Sequence, residues 1–168
     1  MKKLVPIAIA VILGISAAFL YRWMLVSDKD IIEQRIMEIK ALVETKPLPM
    51  TFVEQTKLAK KLLNYTTEDI EIYDELQSTE NPVASEADSI TKYAYVGLRL
   101  FEKVDVRIND LNIQVHDETR ATSEMAVDYT IYYRINTIVD GIASVRLEWT
   151  KQDGQWKIIE GRRQDVFE

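Results

Sequence analysis

Groups that titrate, attack or coordinate are few in this chain, and they are not arranged as a convergent set. There is no cysteine and one histidine, which excludes thiolate nucleophiles, zinc–thiolate sites and disulfides. The histidine stands in Val115-His116-Asp117-Glu118. An imidazole beside two carboxylates could serve as a base or a ligand. One histidine without a partner at ligand spacing is nevertheless a poor metal motif, and the cluster reads better as a solvated turn. No metal and no cofactor is expected. Among carboxylates, Asp110 is the best placed for general-base work. The apolar alternation slips at Asn109-Asp110, and a β-bulge there can re-aim a side chain inward. Sheet curvature alone would explain the same slip.

Two further groups of residues could bind rather than react. Tyr93, Tyr129, Tyr133, Trp149 and Trp156 converge on one face, either as core or, with Asp110, as the lining of a pocket for a small apolar molecule. Asp128, Thr130, Tyr132 and Arg134 alternate along the polar face of one strand pattern, with Arg146 and Glu148 on the next. Cross-strand pairs of this kind stabilise a sheet by about 0.2–1 kcal/mol each. The same face could meet a protein partner or a second copy.

The elements that must position these residues follow from periodicity. Ser27 or Asp28 can cap a helix carrying Ile31, Ile32, Ile36, Ile39, Leu42 and Val43, which Pro47 and Pro49 stop. Thr51-Phe52-Val53-Glu54 has capping-box spacing and opens a second helix to about Tyr65. Ile90, Tyr93, Ala94, Gly97, Leu98 and Phe101 form one helical stripe within about 86–103, with Gly97 marking a close approach. In 66–84, Ile70, Ile72 and Tyr73 fit a short strand or a helical turn, and 78–82 is a loop. From residue 104 the period becomes two. Val104, Val106 and Ile108 alternate, then Leu111, Ile113 and Val115 in the opposite phase. Met125 to Ile135 form a long strand, Val145, Leu147 and Trp149 another, and Gln152-Asp153-Gly154 turns the chain into Trp156 and Ile158. Helices followed by an antiparallel meander make an α+β domain.

The 168 residues suffice for one such domain and an accessory segment, and 47% hydrophobic with 29% charged composition is globular. Lys2, Lys3 and Arg22 are the only charged side chains before Asp28. The rest therefore carries 18 basic against 27 acidic residues, a net −9. So acidic a domain repels phosphate backbones, and nucleic-acid binding is not expected.

Residues 4–26 are a nearly uninterrupted apolar run that, as a helix, would reach about 34 Å, enough for a hydrocarbon core of about 30 Å. Tyr21 and Trp23 suit the interface, and Arg22 can snorkel. The expectation is an anchor over 1–26 and a folded domain over 27–168. The two lysines would remain cytoplasmic and the domain would lie outside the inner membrane. The alternative is a signal peptide cleaved near Ser16-Ala17-Ala18, releasing a secreted or periplasmic domain.

The order of elements, and the ending Leu147-Glu148-Trp149-Thr150-Lys151-Gln152-Asp153-Gly154-Gln155-Trp156-Lys157-Ile158, resembles the nuclear transport factor 2-like superfamily over roughly 28–168. That resemblance implies a curved sheet wrapped around helices as a cone with an apolar interior. The superfamily includes ketosteroid isomerase, dehydratases, epoxide hydrolases and many noncatalytic binding or dimerisation domains. Some bacterial secretion-system components look similar in placing such a domain after one membrane helix. No catalytic motif of the superfamily matches residue by residue, so none is carried over. The expected function is a membrane-tethered, noncatalytic binding or scaffold domain that engages a protein partner or itself. The alternative is a small-molecule binder, or an isomerase- or dehydratase-like enzyme, using the cone interior.

Overall fold

The computed structural model describes residues 26–44, 51–75 and 81–165, apart from the side chains of Tyr93, Tyr95, Leu98 and Asp165. The apolar segment 4–26 and its cleavage site thus lie essentially outside the described residues, as do Pro47, Pro49 and most of the 78–82 loop. No helix among the described residues is long and apolar enough to cross a membrane.

Helix α1 spans Asp28–Glu44. Ser27 caps it: its hydroxyl accepts from the Asp30 amide at 3.2 Å, while the Asp30 carboxylate accepts from the Ser27 amide at 3.0 Å. Helix α2, Phe52–Leu63, has the expected reciprocal box between Thr51 and Glu54. Strand β1, Thr66–Asp74, resolves the ambiguous stretch as strand, and β2 is only Ala84–Ser85. Helix α3, Ala87–Leu100, ends earlier than its stripe suggests. The Phe101 ring packs edge-on against Tyr133, with centroids 5.1 Å apart, which holds Phe101 in strand geometry. Gly97 lies under that ring, so a Cβ there would sit 3.1 Å from Phe101 Cε2.

Four long strands follow: β3 (Phe101–Val115), β4 (Arg120–Tyr133), β5 (Ile138–Gln152) and β6 (Gln155–Asp165). The sheet order is β2-β1-β6-β5-β4-β3. All pairings are antiparallel except β1 with β6, which is parallel and was not legible from periodicity. The β5–β6 turn has Asp153 and Gly154 both at positive φ, 51° and 75°, as an Asp-Gly hairpin requires. Strand β4 stops at Tyr133, before the expected Ile135. Asn136 adopts φ 59°, which turns the chain and leaves Ile135 exposed.

The concave sheet face and α1 share the core. Ile32, Ile36, Ile70, Ile113, Met125, Trp149, Trp156 and Ile158 are buried together, and burying each isoleucine fully is worth about 1.5–3 kcal/mol. Both tryptophans have hydrogen-bond partners. Trp149 Nε1 donates to Ser123 Oγ and Trp156 Nε1 to Asp28 Oδ1, at 2.9 and 2.8 Å. Lys151 Nζ also reaches Asp28 Oδ1 at 2.8 Å. These contacts, Lys151 first and Trp156 second, hold the Asp28 carboxyl below its ordinary pKa.

A group whose folded value lies below its unfolded value, about 3.9 for aspartate, stabilises fully above that pH and loses the contribution as pH falls through the folded value. Asp28→Ala should therefore lower stability by about 1–2 kcal/mol at neutral pH. In thermal unfolding followed from pH 7 to pH 2, the gap from wild type should close below about pH 4.

Candidate functional site

Alternation places two sets of side chains on opposite faces of the sheet. On the concave face, α1 stands off the strands along its second half and leaves a cavity of about 230 Å³. Ile36, Ile39, Lys40 and Val43 line it from the helix, and Val106, Ile108, Met125 and Val127 from β3 and β4. Val145, Leu147 and Ile158 complete the wall. Lys40 is the single charged residue among them, and its Nζ is 2.6 Å from Glu44 Oε2. Glu44 Oε1 in turn accepts from the Val106 amide of edge strand β3 at 3.0 Å. Hydrogen bonding from Lys40, and then from Val106, pulls the Glu44 carboxyl below its ordinary pKa.

The expected aromatic lining is distributed differently. Trp149 and Trp156 are buried core beyond the cavity. Tyr133 is half-buried against Phe101, and the Tyr93 side chain is outside the described residues. The described wall is aliphatic. Asp110 is exposed and does not line it. The expected slip is present, with register shifting between Asn109 and Asn112 opposite β4. The bulge, however, sets Asp110 at φ 51° on the exposed side and turns Leu111 toward the core.

Tyr129 is the cross-strand partner of the lining residue Val106 and shares its sheet face, but it is not among the residues that line the cavity. Its ring lies over Gly141, where a Cβ would be 2.6 Å from the phenol oxygen. The ring thereby reaches across β5 to Arg163, whose Nη2 donates to Tyr129 Oη at 3.1 Å. Arg163 is the cross-strand partner of Val145, another lining residue. Its Nη1 is 3.7 Å from Asp74 Oδ2 at the end of β1.

Arg163 and Asp74 escaped the sequence reading for separate reasons. Asp74 lies in the stretch whose secondary structure was ambiguous. In β6 the register shifts opposite Glu148/Trp149, because Trp149 pairs with Ile158 and Glu148 with Glu160. The extra residue, Ile159, reverses the facing of everything after it. Extending the Trp156–Ile158 alternation would have aimed Arg162 inward instead of Arg163.

The convex face collects five of the six expected interface residues: Asp128, Thr130, Tyr132, Arg146 and Glu148. Arg134 lies instead in the β4–β5 turn, because the strand ends first. Asp128 accepts from Asn109 Nδ2 at 3.1 Å, and Lys103 sits over the Tyr132 ring at 5.2 Å. Arg146 bridges Glu124 and Glu148 at 3.3 and 2.9 Å within a polar groove of about 590 Å³ that also involves Glu160 and Arg162. Beyond this groove, Ile138 and Ile142 are 59% and 44% exposed beside Tyr132 and Asp128. His116 lies in the β3–β4 turn with Nε2 2.7 Å from Thr122 Oγ1. Asp117 accepts from the Thr119 and Arg120 amides, which closes that turn and lowers its own pKa. No group of three or more histidines and carboxylates among the described residues is placed to hold a metal.

Solved structures share this fold. A candidate calcium/calmodulin-dependent protein kinase II association domain from Xanthomonas campestris aligns with TM-score 0.64 and 18% identity, over 84% of this chain and 90% of that one. A protein described as NTF2-like with a cystatin-like fold, from Novosphingobium aromaticivorans, gives 0.62 and 12%, over 88% of each. The fold is nuclear transport factor 2-like. A candidate scytalone dehydratase from the same species gives 0.62 and 19%, over 83% of this chain and 85% of that one. No family model and no curated protein matches the chain.

The glycine under Tyr129 gives a direct test of the site's construction. Gly141→Ala would place a methyl 2.6 Å from the phenol oxygen and evict the ring. Chemical denaturation should register a loss of about 1–3 kcal/mol. Tyr129→Phe, which keeps the ring and removes only the hydroxyl, should lose less.

Proposed function

We propose that this chain is a noncatalytic binding domain, held at a membrane by residues 4–26, that takes an apolar ligand into the cavity between α1 and the concave sheet face. One observation carries the binding part. The described cavity wall is aliphatic apart from Lys40, which is paired with Glu44. General acid–base catalysis needs a proton acceptor within reach of the substrate. The nominated carboxylate, Asp110, is exposed on the bulge, and Asp74 is committed to Arg163. Apolar walls with a few polar groups at the rim suit retention of a ligand. The fold does not choose between the classes, since the neighbours include both an association domain and a dehydratase by their descriptions. The tether rests on the apolar run and its aromatic flank.

Filling the cavity tests this reading. Val127→Phe should reduce binding of a small apolar fluorophore more than tenfold, with no more than a modest change in unfolding midpoint. Unchanged binding would overturn the reading.

Exposed Ile138 and Ile142 favour a second reading, in which the convex face associates with another copy. These side chains stand beside Tyr132 and Asp128, next to a groove containing both arginines and glutamates, a surface that can complement itself across a two-fold axis. Sedimentation should then show dimers at tens of micromolar that Ile142→Lys converts to monomers. A wild-type chain monomeric at high concentration would count against self-association.

A further inference from the structure

We infer that the outer face of α2, carrying Lys57, Lys60 and Lys61, docks on an anionic lipid surface. Lipid, as against another polyanion, rests on the tether proposed above, which would set a bilayer at the same pole of the domain. The surface itself does not depend on the tether or on the cavity.

Gln55 and Ala59 are the buried residues of α2. At about 100° per residue, Val53, Lys57, Lys60, Lys61 and Asn64 fall on the opposite side. All five are exposed, Val53 to 58%. The helix has one acidic residue, Glu54. Its carboxylate is committed to the capping box, accepting from the Thr51 amide at 2.7 Å and from the Thr51 hydroxyl at 2.8 Å. No ion pair joins Lys57, Lys60 or Lys61 to a carboxylate among the described residues, whereas Lys40, Lys103, Arg146, Lys151 and Arg162 each have one. Lys57 is three positions from Lys60 and four from Lys61, spacings at which like charges on a helix repel. The face therefore opposes helix stability slightly, and a negative surface laid against it would relieve that repulsion.

The end of α2 is fixed in place by Tyr65. Its carbonyl accepts from the Ile158 amide at 2.8 Å, and its hydroxyl donates to Glu38 Oε2 of α1 at 3.1 Å. Ile158 is two residues from Trp156, which holds Asp28. Lys60 and Lys61 thus lie toward the tryptophan pole, where the chain enters at Ser27. Screening confines each charge to about 8 Å at physiological ionic strength, so an apposed surface meets local charge and not the net charge of the domain. Each lysine near an anionic bilayer is worth about fivefold in binding, and Val53 among them suits the headgroup boundary.

The test uses the full chain in nanodiscs of phosphatidylcholine, alone or with phosphatidylglycerol. The chain has no cysteine, so Asn64→Cys takes a single environment-sensitive fluorophore on the lysine face. Co-elution with pure phosphatidylcholine discs reports the tether separately. The label should move to a less polar environment only in the phosphatidylglycerol discs. Salt at about 1 M, where the screening length falls to about 3 Å, should abolish the change. Lys57→Gln, Lys60→Gln and Lys61→Gln should each lower the ratio of docked to free label about fivefold, and the triple variant more than about fiftyfold. The corresponding triple arginine variant should stay docked, and none of these changes should move the unfolding midpoint appreciably. An equal response in both disc types, or full docking of the triple glutamine variant, overturns the surface. A stronger response to a short DNA duplex than to the anionic discs overturns the lipid assignment. Failure to elute with phosphatidylcholine discs, with the phosphatidylglycerol response intact, overturns the tether alone and supports the surface.

Discussion

Two carboxylates pin α1 to the sheet, and the rest of the concave face depends on how they do it. Asp28, the first helical residue, accepts from Lys151 and Trp156 on the β5–β6 hairpin. Glu44, the last, accepts from the Val106 amide on the edge strand and pairs with Lys40. Between these points the first half of the helix beds down through Ile32 and Ile36, which are buried against the tryptophan end of the core. Its second half presents Ile39, Lys40 and Val43 to facing valines and to Ile108. The tryptophans fill one end of the cone, and the shorter side chains leave space at the middle. The cavity follows from a helix fixed at both ends over side chains of unequal size.

The same arrangement explains why the polar groups gather where they do. Trp149 and Trp156 use their indole N–H groups on Ser123 and Asp28, which satisfies donors that would be costly to bury unpaired. Glu44 covers an amide of β3, an edge strand that otherwise presents donors to solvent. Arg163 and Asp74 balance one another on the concave face. No buried side-chain nitrogen or oxygen among the described residues lacks a hydrogen-bond partner. The site is therefore pre-organised by the contacts that stabilise the fold.

Much of the architecture was legible because strong local signals agreed with the tertiary outcome. The Thr51–Glu54 box, the Asp153-Gly154 hairpin and the phase slip at Asn109-Asp110 all appear where the residues indicated. Alternation reveals that a bulge exists, but which residue turns inward depends on backbone geometry, and Leu111 does so instead of Asp110. In β6 the extra residue at Ile159 left no apolar mark, because Gly161, Arg162 and Arg163 follow it. Parallel pairing of β1 with β6 joins segments about ninety positions apart (Thr66 with Ile158, for instance) and has no local signature. Tyr129 was placed on the inner face by its strand alternation, whereas Arg163, which donates to it, and Asp74 beyond emerged only from the register.

The Asp28 clamp also sets a direction of approach. It joins the start of α1 to the β5–β6 hairpin, so the chain enters the domain at the tryptophan end. Lys151 in that clamp and Gly141 beneath Tyr129 are ten positions apart on β5, roughly 33 Å at strand rise. Ser27 and the Asp28 clamp thus stand at one pole of the domain, and the Tyr129–Gly141 contact lies toward the other. A force applied at Ser27 would be borne by the hairpin, through Asp28, Lys151 and Trp156, before it reached the cavity.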